Sequence, residues 1–274
     1  MILPSARLRT AMLTGRRRPG VRGAGAPAKR RSDGYEFAEL RAYVPGDDPR
    51  RIDWAATARA GDLQTRVVFE DHALTLAAAL DASGSMFAGR ERANYEIALD
   101  AAGAWYAAAI DDDRCARVAR EGLIFARDLP GRAAARLCAE RREAPGGSFA
   151  ATLATALAAL PRASHLLVVS DFYEFDALDP LLRACAARFE LTALLMRDPW
   201  NGALPLGGFV RLRDAESGAV RRCYVGGAER ARYRATVEAR ERHVLERLLY
   251  AGARASVLAE GGAQRALLEA FGIA

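Results

Sequence analysis

Between Leu74 and Met196 the chain alternates short apolar runs with longer amphipathic stretches. Leu74 to Leu80, His165 to Val169 and Leu191 to Met196 are continuous apolar runs of strand length. Glu91 to Ile110, Arg132 to Arg142, a stretch from Ser148 through Ala159, and Ala177 to Ala187 have helical spacing. Cys115 to Val118 and Glu121 to Ala126 read as a short hairpin. Apolar strands separated by helices predict an α/β fold, with a mainly parallel central sheet covered by helices on both faces. In such sheets ligands bind beyond the carboxyl ends of the strands.

The flanks have a different texture. From Gly34 to Phe69 short alternating stretches surround the turn signal Pro45-Gly46-Asp47-Asp48, and Gln64 to Phe69 is a further strand candidate. Towards the C-terminus, Phe209 to Arg213 and Val220 to Val225 flank Glu216-Ser217-Gly218, a hairpin signature. A helix over 229–250, a strand Ala255 to Leu258 and a closing helix over 264–271 follow. The pattern divides the chain into an arm (1–33), a β-rich leader (34–72), an α/β core (73–198) and a C-terminal extension that completes the fold (199–274).

Charge changes the picture only at the arm. It carries Arg7, Arg9, Arg16, Arg17, Arg18, Arg22, Lys29, Arg30 and Arg31 against one acid, Asp33, while the whole chain has a net charge of +6. With Gly15, Gly20, Gly23, Gly25, Pro19 and Pro27, the arm is expected to be flexible or extended, a docking element for an anionic surface. No aromatic is interleaved for base stacking, so nucleic acid is not the expected partner. Cys115, Cys138, Cys185 and Cys223 are widely separated, which argues against zinc and against disulfides in a reducing compartment. The longest apolar stretches are short of a membrane span, and Met1-Ile2-Leu3-Pro4 leads into no signal-peptide core; the expected compartment is cytoplasmic.

The candidate chemistry lies where the first core strand ends. Asp81-Ala82-Ser83-Gly84-Ser85 places a carboxylate and two hydroxyls at alternate positions on the carboxyl edge of the sheet. Asp171 ends a later strand, and Ser148 follows the mobile pair Gly146-Gly147. Asp81, Ser83, Ser85, Ser148 and Asp171 therefore form a candidate oxygen cluster from three separated segments. Hard oxygens suit Mg²⁺ or Mn²⁺, with one Asp ligating directly and the other holding a metal-bound water or orienting a serine. Enzyme signals are poor. No Gly-x-Ser-x-Gly elbow or Walker lysine is present, and His72, His165 and His243 lie in separate segments.

The cluster resembles the metal-ion-dependent adhesion site of von Willebrand factor type A domains: Asp-x-Ser-x-Ser, a Thr in a glycine-containing loop, and an Asp after a later strand. Ser148 stands where Thr is usual. A second stretch, Glu36-Phe37 through Leu40-Arg41, Tyr43, Pro45-Gly46-Asp47-Asp48, Arg50, Ile52-Asp53-Trp54 and Ala58-Arg59, is similar to the leader of domain-of-unknown-function family 58. That family carries a von Willebrand A-like domain after this leader. The leader charges read as a turn and salt-bridge network, buried against the core by Trp54.

The resemblance implies a non-enzymatic, metal-dependent adaptor that binds a partner's Glu or Asp carboxylate. It also implies a MoxR-type AAA+ ATPase as partner in protein remodelling or complex assembly. The alternatives are a metal-independent module docking through its basic arm and a metal-dependent hydrolase.

Overall fold

The apolar run before Asp81 forms the central strand of a six-stranded sheet. The computed structural model describes residues 4–14, 36–44, 49, 52–69, 73–198, 206–215 and 217–273. Pro4–Thr14 and the chain from Leu74 onward form one compact unit, and the described residues from 36 to 73 belong to another.

In the larger unit the strands are β3 (Thr75–Leu80), β4 (Arg114–Ala119), β5 (Gly122–Asp128), β6 (His165–Ser170), β7 (Glu190–Met196) and β10 (Arg254–Leu258). Their order is β10-β7-β6-β3-β4-β5. Every pairing is parallel except β4 with β5, the hairpin at one edge. Two-faced burial explains the continuous apolar runs. Leu76, Ala78 and Leu80 face one core, whereas Ala77 and Ala79 face the other.

The first core is roofed by α1 (Pro4–Thr14), α3 (Asn94–Tyr106), α4 (Gly131–Glu140) and α8 (Ala263–Ala270). The second is covered by α5 (Phe149–Ala159), α6 (Phe175–Arg188) and α7 (Gly227–Tyr250). Burying each large aliphatic side chain of these layers contributes about 1.5–3 kcal/mol. The expected α/β architecture is the one observed. A separate antiparallel pair, β8 (Gly208–Arg213) and β9 (Val220–Val225), supplies the C-terminal hairpin.

The smaller unit contains β1 (Glu36–Ala42) paired antiparallel with β2 (Gln64–Phe69), joined through α2 (Trp54–Ala60). Asp53 caps α2, its carboxylate accepting from the Ala56 N–H at 2.9 Å, so one leader charge serves a helix terminus. Trp54 does not bury the leader. As the first residue of α2 it is 69% exposed, and Ala56 is the residue of that helix turned inward. Asp47, Asp48 and Arg50 lie outside the described residues.

The arm also departs from expectation. Over Pro4–Thr14 it is α1, with Leu8 and Met12 buried in the first core. Arg9 pairs with the fully buried Asp113, which also accepts from the N–H groups of Leu74 (2.7 Å) and Ile110 (2.9 Å). Its apolar residues at i and i+4 give this segment a face to bury, which outweighs its charge. The glycine- and proline-rich remainder, 15–35, lies outside the described residues.

Candidate metal centre

Asp81 continues β3 by one residue, its N–H donating to the Val169 carbonyl of β6 at 2.9 Å. It is 3% exposed, and both carboxylate oxygens are engaged. The Ser83 N–H donates to Oδ1 at 2.8 Å, and the Ser170 hydroxyl donates to Oδ2 at 2.5 Å. Burial raises the Asp81 pKa, and the charge of Asp171 adds to that, while the bonds from Ser170 and Ser83 pull it down.

After Asp81 the chain turns into a short 3₁₀ helix, Gly84–Phe87. Met86 is fully buried and Phe87 stacks on Tyr95 with ring centroids 4.8 Å apart. These apolar anchors fix the turn, so Ser83 and Ser85 are left half-buried with their hydroxyl oxygens 3.3 Å apart.

Asp171 follows β6 and is half-buried. Its Oδ1 accepts from the Tyr173 N–H at 3.0 Å, and its carbonyl accepts from the Arg240 guanidinium at 2.6 Å. Phe172 between them has φ 49° and is completely buried. This left-handed conformation costs a bulky residue about 1–2 kcal/mol. It is held by the Phe172 N–H donating to Ser170 Oγ at 2.8 Å.

Ser148 lies on a loop tied to the motif, because the Gly146 N–H donates to the Ala82 carbonyl at 2.8 Å. Gly146 and Gly147 have φ of 113° and 90°, which only glycine adopts at low cost. At Gly147 a Cβ would also meet the Arg120 guanidinium at 2.3 Å. Ser148 is exposed and occupies the cap position of α5, yet its side chain makes no capping hydrogen bond.

The loop is anchored from behind by Glu143, paired with the fully buried Arg117 at 2.7 Å. Arg117 also donates to the Tyr95 hydroxyl at 3.0 Å and to Cys138 Sγ at 3.4 Å. Burial works against the Arg117 charge, but Cys138, Tyr95 and Glu143 outweigh it and hold its pKa above the ordinary value.

Asp81, Ser83 and Ser85 thus share one turn, Asp171 ends the neighbouring strand, and Ser148 sits on the loop joined to Ala82. Sequence reasoning missed Ser170, whose hydroxyl holds Asp81, and Arg240, which holds the Asp171 turn from α7. Ser170 was visible as the last strand residue before Asp171. Arg240 had no local signal.

The donor set fits a small hard cation. Two ligand oxygens at adjacent octahedral positions, each about 2.0–2.1 Å from Mg²⁺, lie about 3 Å apart, close to the hydroxyl separation here. Among the described residues no group of three or more His, Cys, Asp or Glu side chains could hold a metal, so a cation at this edge relies on serine oxygens.

A mainly parallel sheet with an Asp-x-Ser-x-Ser turn at its carboxyl edge places the protein in the von Willebrand A-like class. The chain belongs to the family described as "Protein of unknown function DUF58", whose model matches residues 39–244. Uncharacterized proteins from Mycobacterium bovis and Mycobacterium tuberculosis are 34% identical to it over 203 residues, which is 69% of this chain and 63% of each relative. The chain therefore aligns with less than two thirds of their length.

Among solved structures it is similar to the conserved hypothetical protein BatB from Bacteroides thetaiotaomicron. The identity is 11% and the TM-score 0.41, covering 73% of this chain and 97% of that one. It is also similar to a von Willebrand factor type A protein from Catenulispora acidiphila. There the identity is 18% and the TM-score 0.31, covering 64% and 43% respectively.

Proposed function

We propose that the chain is a non-enzymatic binding adaptor whose Asp81, Ser83, Ser85, Ser148 and Asp171 hold Mg²⁺ or Mn²⁺ for a partner protein's carboxylate. The observation that carries this reading is the pair of serine hydroxyls 3.3 Å apart beside a buried aspartate, with a second carboxylate on the adjoining strand end. When bound, the ion would supply an open coordination position that a Glu or Asp completes.

The chain's own residues would orient the donors. Ser170 and the Ser83 N–H fix the Asp81 carboxylate, Arg240 fixes the Asp171 turn, and the Arg117–Glu143 pair fixes the loop bearing Ser148. The family resemblance supports a MoxR-type AAA+ ATPase as the partner, with protein remodelling or complex assembly as the setting.

The rival readings have less support. The arm's Arg9 is spent on Asp113 inside the unit. His165 begins β6, at the opposite end of that strand from Asp171, so it is not placed as a general base. No described helix is long and apolar enough to cross a membrane.

Pull-down from a cell lysate, with wild type and Asp81→Ala in Mg²⁺ or in chelator, tests the proposal. Recovery of the ATPase is expected only for wild type with metal, and equal recovery in all arms would overturn it. In melting experiments, free metal at 100 times its dissociation constant should stabilise wild type by about 2.7 kcal/mol and leave Asp81→Ala unmoved.

A further inference from the structure

The hairpin β8–β9 carries a second set of residues that folding does not explain. Its register places Phe209 opposite Tyr224, Arg211 opposite Arg222 and Arg213 opposite Val220, all on one face. Every one of these six is exposed, Phe209 at 91% and Tyr224 at 58%, and the two rings pack edge-to-face at 5.3 Å. On the other face Val225 is buried and Val210 and Cys223 are half-buried, while Leu212 and Arg221 near the turn are exposed.

The outer face is unfavourable in isolation. Like charges directly opposite one another destabilise an antiparallel pair, and a two-stranded sheet is marginal to begin with. Among the described residues no acid forms an ion pair with Arg211, Arg213, Arg221 or Arg222. The nearest described acid in sequence, Asp214, accepts instead from the Ser217 N–H at 2.7 Å and the Ser217 hydroxyl at 2.9 Å, inside the turn. An exposed aromatic pair beside guanidinium groups that no described acid neutralises has the composition of a binding surface.

The backbone selects the kind of partner. Among the described residues β8 and β9 pair only with each other, so each strand presents an outer edge of N–H and C=O groups. A polypeptide in extended conformation satisfies such an edge with its own backbone, whereas a nucleic acid has no matching ladder.

We propose that the β8–β9 hairpin is a docking site for an extended acidic–apolar protein segment. The segment adds as a third strand, with carboxylates against Arg211 and Arg222 and an apolar side chain beside Phe209 and Tyr224. Alternation along the incoming strand brings every second side chain onto the arginine face. Guanidinium groups bind carboxylates through paired, charge-assisted hydrogen bonds. The site needs no metal and stands independently of the Asp81 cluster.

The test is fluorescence anisotropy of the full chain in chelator at low salt. The probe is a labelled peptide of about twelve residues repeating Glu-Thr-Val-Thr, so that one face of the extended chain carries Glu and Val in turn. Saturable binding is expected, weakened about tenfold or more by Arg222→Glu and lost when alternate backbone nitrogens of the peptide are methylated. A peptide with Lys in place of Glu should not bind.

Arg222→Glu turns a repelling cross-strand pair into an attracting one, so its melting temperature should equal or exceed that of wild type. If it fails to fold, Phe209→Ser serves as the second variant, with the same loss expected. Absence of saturable binding, or equal binding by the variants, would overturn the proposal. So would tighter binding of a single-stranded oligonucleotide of equal charge, together with indifference to backbone methylation; that outcome would assign the face to nucleic acid.

Discussion

At the scale of single residues, burial decides which side chains are available for chemistry. Cys115 and Cys185 are buried, and desolvation pushes their thiols from the ordinary value of 9.0 up to about 12; Cys138 is raised for the same reason. Cys223, on the hairpin, is only half-buried. Ellman's reagent at pH 8 should therefore modify Cys223 in the native protein and the other three only after unfolding.

The sign of the pH effect follows from the same burial. Folded Cys115 and Cys185 keep their protons to about 12, whereas unfolded thiols ionise near 9.0. Stability should be unaffected by these groups below pH 9 and fall as pH rises from 9 towards 12, measurable as a falling urea midpoint. Asp81, Ser83, Ser85 and Asp171 were legible as candidates because a strand end followed by short polar residues is a local signal. Ser170 and Arg240 act through neighbours brought close by the sheet and by α7, and no local pattern encodes that.

Among elements, two contacts carry testable weight. Glu143 secures the Ser148 loop by neutralising Arg117, which is fully buried. Glu143→Ala leaves that charge without its anion and should cost about 3–5 kcal/mol in chemical denaturation. The double change Arg117→Met with Glu143→Leu should recover most of the loss. Both variants should bind Mg²⁺ more weakly if the loop supplies Ser148.

The second contact is α1. Met12→Ala should cost about 2–5 kcal/mol, because Met12 is fully buried. A free arm would show no change. Here the sequence misleads for a physical reason: arginines and nearby glycines dominate the composition, while Leu8 and Met12, four residues apart, are enough to dock one helix face. The 74–198 elements were legible because each apolar run is buried on both faces of the sheet. Helix α2 was not, because its cap Asp53 reads equally well as a turn residue.

For the molecule as a whole, the hairpin adjoins the start of α7 and the carboxyl edge of the sheet adjoins its middle. β9 ends at Val225, α7 begins at Gly227, and Arg240 of α7 reaches the Asp171 carbonyl. From Gly227 to Arg240 the helix rises about 20 Å, at ~1.5 Å per residue. That makes α7 a ruler. An extended peptide covers the same distance in about six residues at ~3.3 Å each. In a series joining the Glu–Val strand to a terminal carboxylate through spacers of increasing length, Mg²⁺-dependent affinity should peak near that spacing. Short spacers would reach only one site. A single partner segment could then be read twice, by composition at the hairpin and by length at the metal edge, and neither reading alone would suffice for tight capture.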